Sequence, residues 1–115
     1  LILLFGCGGN RDTGKRKLMG KIAEKYADEV FITDDNPRYE SAKNIRSEIS
    51  KYCKKSINIA NRKKAIKKAI NVMKKEDILL IAGKGHEKNQ IIKGKYYPFD
   101  DEIIARNAIL ERDLL

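Results

Sequence analysis

Short apolar runs alternate along the chain with segments whose apolar residues recur at helical spacing. The apolar runs predict strands at residues 2–5, 29–32, 56–59 and 78–82. The amphipathic segments between them predict helices over residues 18–26, 42–53 and 65–73, with the apolar stripes in the core. This alternation is typical of an α/β domain, in which helices cover a mostly parallel sheet.

After residue 82 the pattern changes to that of a β-hairpin. Residues 90–92 and 96–99 read as its two strands, and the turn is expected near Gly94. Pro98 would confine its strand to an edge or to a strand end, because proline donates no ladder hydrogen bond. We expect Asp100 or Asp101 to cap a last helix.

Length and cysteine content narrow the class of protein. A chain of 115 residues suits one domain. Its first apolar run is too short for a signal peptide or a membrane span, so we expect a buried strand in a piece cut from a larger protein. Cys7 and Cys53 have no metal-ligand spacing and give no disulfide framework. We therefore expect a reduced cytoplasmic setting, no metal site and no membrane partner.

The net charge of +9 and the pI of about 9.6 raise the alternative of a basic nucleic-acid-binding module. Many of the lysines fall on predicted solvated helix faces, however, and aromatic residues are only 7% of the chain. The aromatic residues are not interleaved with the basic ones, so a stacking platform for single strands is not indicated. We expect no nucleic-acid partner, whereas small anionic substrates remain compatible with the charge.

A glycine-rich polar loop follows the first predicted strand, at residues 6–16. Its backbone amides and the start of the next helix could receive an anion. It matches neither the Walker A pattern nor the dinucleotide fingerprint, because Gly14-Lys15 is followed by Arg16 and the glycines are spaced differently. The density of charge, with Arg11, Asp12, Lys15 and Arg16 within six positions, favours a site over a plain turn.

A second polar loop, residues 33–38, follows the second predicted strand. Asp, Asn and Pro are common turn formers, so an ordinary turn is the competing interpretation. Arg38 is the residue that a turn does not require. It can bind a carboxylate through two parallel hydrogen bonds, Asp35 can hold an ammonium group, and Asn36 can serve either partner.

A third polar loop, residues 83–87, follows the fourth predicted strand. Gly83 allows close approach of a ligand to the backbone, and Glu87 is a candidate for holding a substrate ammonium. We assign His86 neither a general-base nor a metal role, because the chain has no second histidine. Since all three loops follow strands, they should meet at one edge of the sheet.

Three motifs in order resemble the C-terminal domain of the UDP-N-acetylmuramoyl-tripeptide synthetases, a branch of the ATP-dependent Mur ligase family. They read FGCGGxRDxGKRxxM at residues 5–19, TxDNPR at residues 33–38 and AGKGHE at residues 82–87. The resemblance covers essentially the whole chain. It implies that residues 1–115 form a Rossmann-like α/β domain of a three-domain enzyme and bind the incoming amino acid.

The resemblance also implies the reaction. The family joins an amino acid to UDP-MurNAc-L-Ala-D-Glu during peptidoglycan synthesis, through an acyl phosphate made from ATP. We expect ATP and Mg²⁺ to be bound mainly by the central domain, which this chain lacks. The resemblance gives this chain no catalytic residue and no metal ligand, so the isolated domain should be inactive.

Site residues carry over from the matching motif positions. Arg38 is expected to bind the distal carboxylate of meso-diaminopimelate, with Asp35 and Asn36 at the neighbouring amino and carboxyl groups. The other expected amino-acid contacts are Arg11, Gly83 and Glu87. For Lys15 and Arg16 the expectation is a role near the nucleotide or in domain closure.

Arg38 favours a substrate with two carboxyl groups over lysine. Lysine lacks the distal carboxylate, so it would leave the guanidinium unpaired, at a cost on the order of several kcal/mol if the site is desolvated. Lanthionine has the same termini as diaminopimelate and stays an alternative ligand. A lysine-adding or folate-type Mur ligase also stays an alternative. One departure from the family pattern is Asn10, where relatives usually have aspartate.

Overall fold

The computed structural model describes residues 1–9, 13–84 and 87–113, and it confirms the predicted α/β architecture. The elements in chain order are β1 (Ile2–Phe5), α1 (Gly14–Tyr26), β2 (Glu29–Ile32), α2 (Ala42–Ser50), β3 (Ile57–Asn58), α3 (Arg62–Val72), β4 (Leu79–Ile81), β5 (Asn89–Ile92), β6 (Lys95–Pro98) and α4 (Asp101–Asp113). The three predicted amphipathic segments are the helices α1, α2 and α3.

Four strands form one parallel sheet in the order β3-β2-β1-β4. In the register of the central pair, Ile2 lies opposite Glu29 and Phe5 lies opposite Ile32. The edge strands β3 and β4 are shorter than the apolar runs that predicted them. Each edge strand pairs with one neighbour only, so its end residues lack the second ladder that would extend it.

Helices cover both faces of this sheet, and successive residues of a strand point to opposite faces. Phe5 belongs to the core that α1 and α2 cover, together with Val30 and Ile32. Leu4 and Phe31 belong to the core on the other face, which α3 and α4 cover. Burial on both faces explains why the inner strands read as continuous apolar runs rather than as alternating ones.

The predicted hairpin is confirmed, with β5 and β6 antiparallel and a two-residue turn at Lys93 and Gly94. Both turn residues have positive φ, 49° and 78°, as the tightest hairpin turns require. The hairpin forms a separate two-stranded sheet. It joins the rest of the domain through a parallel bridge between Ile92 and Arg38, so it supports the second polar loop directly.

The start of α4 separates the roles of two neighbouring aspartates. Asp100 is the capping residue, since its Oδ1 accepts hydrogen bonds from the backbone amides of Glu102 at 3.0 Å and Ile103 at 3.3 Å. Asp101 is buried and binds the fully buried Arg62 through two hydrogen bonds of 2.8 and 2.7 Å. This bidentate pair connects the first turns of α3 and α4.

Replacing Asp101 by asparagine should destabilise the domain strongly, because Arg62 would keep its charge in the interior without a counter-charge. The expected cost is about 3 kcal/mol or more in the free energy of unfolding, measured by chemical denaturation. The matched control is Glu102→Gln, which breaks the exposed pair between Glu102 and Arg106 on the same helix. Its expected cost is about 0.5 kcal/mol or less. Equal effects of the two substitutions would contradict this account.

Candidate functional site

The three polar loops line one open cleft at the carboxyl edge of the sheet. The cleft has a volume of about 540 Å³. Six of the predicted site residues line it, namely Lys15, Asp35, Asn36, Arg38, Gly83 and Glu87. The predicted convergence of the loops is thereby confirmed. Arg11 lies outside the described residues, as do Asn10, Asp12 and His86.

The first loop allows the second loop to approach it closely. A Cβ atom on Gly9 would lie 1.8 Å from the carbonyl oxygen of Pro37, so a larger residue would push the loops apart. The backbone amide of Gly9 donates to the carbonyl oxygen of Asn36 at 2.7 Å. The glycines of this loop thus serve close packing against the second loop, and this packing closes one side of the cleft.

Arg38 is held in an unusual backbone conformation by the hairpin. Its φ is 54°, in the left-handed region that favours glycine. The backbone amide of Arg38 donates to the carbonyl oxygen of Ile91 at 3.1 Å, and the amide of Lys93 donates to the carbonyl oxygen of Arg38 at 2.6 Å. These two bonds hold the conformation, which costs on the order of 1–3 kcal/mol for a residue other than glycine.

The Arg38 side chain is anchored at one nitrogen and open at the others. Its Nη1 donates to the carbonyl oxygens of Gly9 at 3.1 Å and Asn36 at 3.3 Å. Neither Nε nor Nη2 makes a hydrogen bond within the part of the chain that the structure describes. A guanidinium that keeps two parallel donors free in a cleft can bind a carboxylate through both of them.

Asn36 is buried, and its carboxamide is used largely by the protein itself. Its Oδ1 accepts from the backbone amide of Ile91 at 2.9 Å, while its Nδ2 donates to Oε2 of Glu87 at 3.4 Å. The side chain therefore ties the second loop to β5 and to the third loop. Because an amide nitrogen has two hydrogens and Nδ2 makes one hydrogen bond within the described residues, it has a second donor with which it could bind a ligand.

Asp35 presents a carboxylate that is mostly buried at the base of the cleft, with 12% of its side chain exposed. Burial raises the pKa of this carboxyl group, and the nearby cations Arg62 and Lys84 oppose the shift. Its backbone carbonyl accepts a hydrogen bond of 2.7 Å from Nε2 of Gln90 in β5. A carboxylate in this setting can bind an ammonium group, which would offset its desolvation.

Lys15 and Arg16 have opposite environments although they are neighbours on α1. Lys15 is exposed at the rim of the cleft. The side chain of Arg16 is only 2% exposed, and it forms ion pairs with Glu40 at 3.0 Å and Glu48 at 2.8 Å. This burial indicates a structural role for Arg16 within the domain, and its expected role near the nucleotide or in domain closure stays a prediction.

Arg62 is a residue that the sequence analysis did not single out. Besides binding Asp101, it donates to the carbonyl oxygens of Asp34 at 3.2 Å and Ala82 at 3.3 Å. It thereby fixes the points at which the second and third loops leave the sheet. Helical spacing could have revealed it, because Arg62 precedes Ala65 and Ile66 by three and four residues and so shares their buried face.

Cys7 also lines the cleft, together with Gly6, Gly8 and Met19, none of which was named among the predicted site residues. Burial raises the pKa of the Cys7 thiol, so we give it no nucleophilic role. Within the described residues, no group of three or more His, Cys, Asp or Glu side chains could hold a metal ion. In the same part of the chain, no helix is long and apolar enough to cross a membrane.

Comparisons with known proteins agree with the fold and with the motifs. A protein of Rickettsia rickettsii named UDP-N-acetylmuramoyl-L-alanyl-D-glutamate--2,6-diaminopimelate ligase is 57% identical over 111 residues, which are 95% of this chain and 23% of that protein. A protein of Anaplasma marginale with the same name is 49% identical over 111 residues, 96% of this chain and 24% of that protein. The chain thus spans about a quarter of the length of these curated relatives.

A solved structure of a ligase with that name superposes with a TM-score of 0.91 at 39% sequence identity. The match covers 97% of this chain and 24% of that one. The family model described as "Mur ligase, glutamate ligase domain" matches residues 1–85. These residues include the first and second polar loops and all but the last two residues of the third. The chain therefore belongs to the Mur ligase family.

Proposed function

We propose that this chain is the amino-acid-binding domain of an ATP-dependent ligase of peptidoglycan synthesis. The whole enzyme would join meso-diaminopimelate, or an analogue such as lanthionine, to UDP-MurNAc-L-Ala-D-Glu. The names of the relatives support this substrate pair. The reaction belongs to the cytoplasm, where nucleotide-activated precursors and ATP are available together.

The observation that carries the proposal is the open guanidinium edge of Arg38 in a cleft that also holds two carboxylates. The distal end of meso-diaminopimelate has one carboxylate and one ammonium group. Arg38 would bind the carboxylate through Nε and Nη2, while Asp35 and Glu87 would receive ammonium hydrogens. Lysine could satisfy the carboxylates of the site, but it would leave the donors of Arg38 unpaired.

The remaining contacts complete the orientation of the amino acid. Asn36 would donate its free amide hydrogen to a carboxylate oxygen. Gly83, with φ of 107° and no side chain, leaves room beside Asp35 for the ligand backbone. Arg11 keeps its expected role as a further carboxylate contact. Together these groups would hold the reacting amine in one direction, and such positioning lowers the entropic part of the barrier.

Activation of the acceptor belongs to the domains that this chain does not contain. ATP with Mg²⁺ would activate the carboxyl group of UDP-MurNAc-L-Ala-D-Glu for attack by the amine. The exposed ammonium of Lys15, in the first turn of α1, suits a phosphate group, so we propose a nucleotide or closure contact for it. Arg16 would act indirectly, by holding the first loop through its 3.3 Å bond to the carbonyl oxygen of Gly8. The isolated domain should bind substrate without catalysing ligation.

Substituting Arg38 by alanine in the full-length enzyme should remove the preference for diaminopimelate over lysine. A hydrogen bond to a charged group contributes about 1.5–3 kcal/mol, which corresponds to a fall of roughly 10-fold to 150-fold in kcat/KM for diaminopimelate. The value for lysine should stay the same or rise. The matched control is Arg106→Ala, which removes an exposed arginine of α4. An unchanged ratio of the two kcat/KM values in Arg38→Ala would refute the assignment.

As the pH is lowered, binding of diaminopimelate should begin to weaken at a higher pH than it would if Asp35 had the pKa of an ordinary aspartate. Only the ionised form of Asp35 attracts an ammonium group, and its raised pKa means that protonation begins earlier as the pH falls. The measurement is the calorimetric dissociation constant of meso-diaminopimelate in the full-length enzyme as a function of pH. This loss of affinity at low pH is the acid limb of the binding profile. In Asp35→Asn the acid limb should disappear, and the affinity should be low at every pH. If the limb survives in that variant, another group causes it.

A further inference from the structure

Lys84 is a lysine of the third loop that lies almost wholly inside the protein. It is 2% exposed, whereas the next lysine along the chain, Lys88, is exposed. Lysine is among the residues least often buried, because its ammonium group loses strong hydration. None of the roles proposed above for the cleft uses this side chain. A buried ammonium directly beneath a ligand cleft therefore requires an explanation.

The contacts of the Lys84 ammonium join three segments around the cleft. Nζ donates to the carbonyl oxygen of Asn89 at the start of β5, and to Oδ1 of Asn36 in the second loop at 3.4 Å. It also lies 3.8 Å from Oδ1 of Asp35. The ring of Phe99 covers it at 5.9 Å from the centroid. One cation thus connects the third loop, the second loop and the hairpin.

Among the residues that the structure describes, Lys84 is the cation that forms an ion pair with Asp35. Its Oδ1 is buried and accepts no hydrogen bond within the described residues. The charged groups that act on it are Lys84 and Glu87 of the third loop, Arg62 of α3 and Asp101 of α4. Arg62 is already engaged by the carboxylate of Asp101 through two hydrogen bonds. Both Arg62 and Lys84 oppose the effect of burial on the pKa of Asp35, and Lys84 is the one of the two that lies within ion-pair distance of its carboxylate, at 3.8 Å.

We propose that Lys84 is a positioning residue of the amino-acid site, and this rests on the function proposed above. From beneath the cleft it holds the Asp35 carboxylate ionised and fixes the Asn36 carboxamide, so that both face the ammonium and carboxylate groups of the incoming amino acid. It touches no substrate itself. Its geometry sets the separation between the second loop and the third, and this separation determines whether Asp35 and Glu87 can bind one ammonium group together.

The protonation behaviour of the pair gives the proposal a distinctive signature. Burial lowers the pKa of Lys84, and the nearby Asp35 raises it again. In the reverse direction Lys84 opposes the upward shift that burial imposes on the pKa of Asp35. Removing the ammonium should therefore raise the pKa of Asp35 further. The acid limb of diaminopimelate binding then moves to higher pH, which general destabilisation of the fold would not cause.

The test compares Lys84→Met with Lys84→Arg and with the control Lys88→Met in the full-length enzyme. Lys84→Met should weaken meso-diaminopimelate binding on the order of 10-fold to 100-fold, while the KM for the UDP-linked substrate stays unchanged. Its acid limb should lie at higher pH than that of the wild type. Lys84→Arg, which keeps a cation, should recover part of both effects. Lys88→Met removes the same charge from the surface and should match the wild type.

A double variant keeps the proposal testable if Lys84→Met does not fold. Asp35→Asn combined with Lys84→Met removes both charges, so it leaves no buried ion without a partner. If Lys84 acts through Asp35 as well as Asn36, adding Lys84→Met should cost much less affinity for diaminopimelate in the Asp35→Asn background than in the wild type. Additive losses would overturn the proposal, and so would a folded Lys84→Met with unchanged affinity and acid limb. Failure of the wild-type enzyme to bind diaminopimelate would instead refute the proposed function.

Discussion

The cleft depends on the position of β1 between β2 and β4 in a parallel sheet. Parallel strands all end at the same edge, so the loops that follow these three strands must emerge side by side. Adjacent strands lie about 4.8 Å apart, and this spacing brings the loops at residues 6–16, 33–38 and 83–87 within reach of one ligand although they are far apart in sequence. The sheet supplies proximity, but it does not fix the loops in any one conformation.

Buried cations supply the fixation that the sheet does not. Arg62 binds the carbonyl oxygens where the second and third loops leave the sheet, and Lys84 ties these loops to the hairpin. Arg16 connects the first loop to Glu40, just beyond the second loop, and to α2. Burying charge is costly unless each cation finds partners, and here carboxylates and backbone carbonyls provide them. The site is therefore held from beneath by groups that a ligand would not touch.

The hairpin has a role that its sequence does not suggest. The position of its turn can be predicted from the sequence, because Gly94 and its neighbours match a two-residue turn. Its attachment to the rest of the domain could not be predicted, because β5, besides pairing with β6, bridges to a loop residue, Arg38. That bridge accompanies the positive φ of Arg38, whose guanidinium bonds to the protein through Nη1 within the described residues. The hairpin thus shapes the cleft and would support the proposed binding site, although no hairpin residue was predicted to contact the ligand.

Local pattern predicted the strands, the helices and the convergence of the loops, since each of these follows from periodicity and from parallel topology. It could not distinguish Lys15 from Arg16, because the burial of Arg16 depends on acidic partners more than 20 residues away. The hydrogen bonds of Asn36 within the protein and the role of Arg62 also depend on residues that are distant in sequence, so local pattern could not predict them. Where the structure describes these loops, their charged residues divide into those that line the cleft and those that hold the loops in place. Only tertiary contacts make this division visible.

The central claim is that this domain recognises the distal end of a diamino diacid through Arg38. The most direct measurement is a crystal structure of the full-length enzyme with meso-diaminopimelate bound. The account predicts that Nε and Nη2 of Arg38 lie about 2.8 Å from the two oxygens of the distal carboxylate, with the ammonium beside it between Asp35 and Glu87. A distal carboxylate bound elsewhere, with the Arg38 guanidinium unoccupied, would contradict the claim.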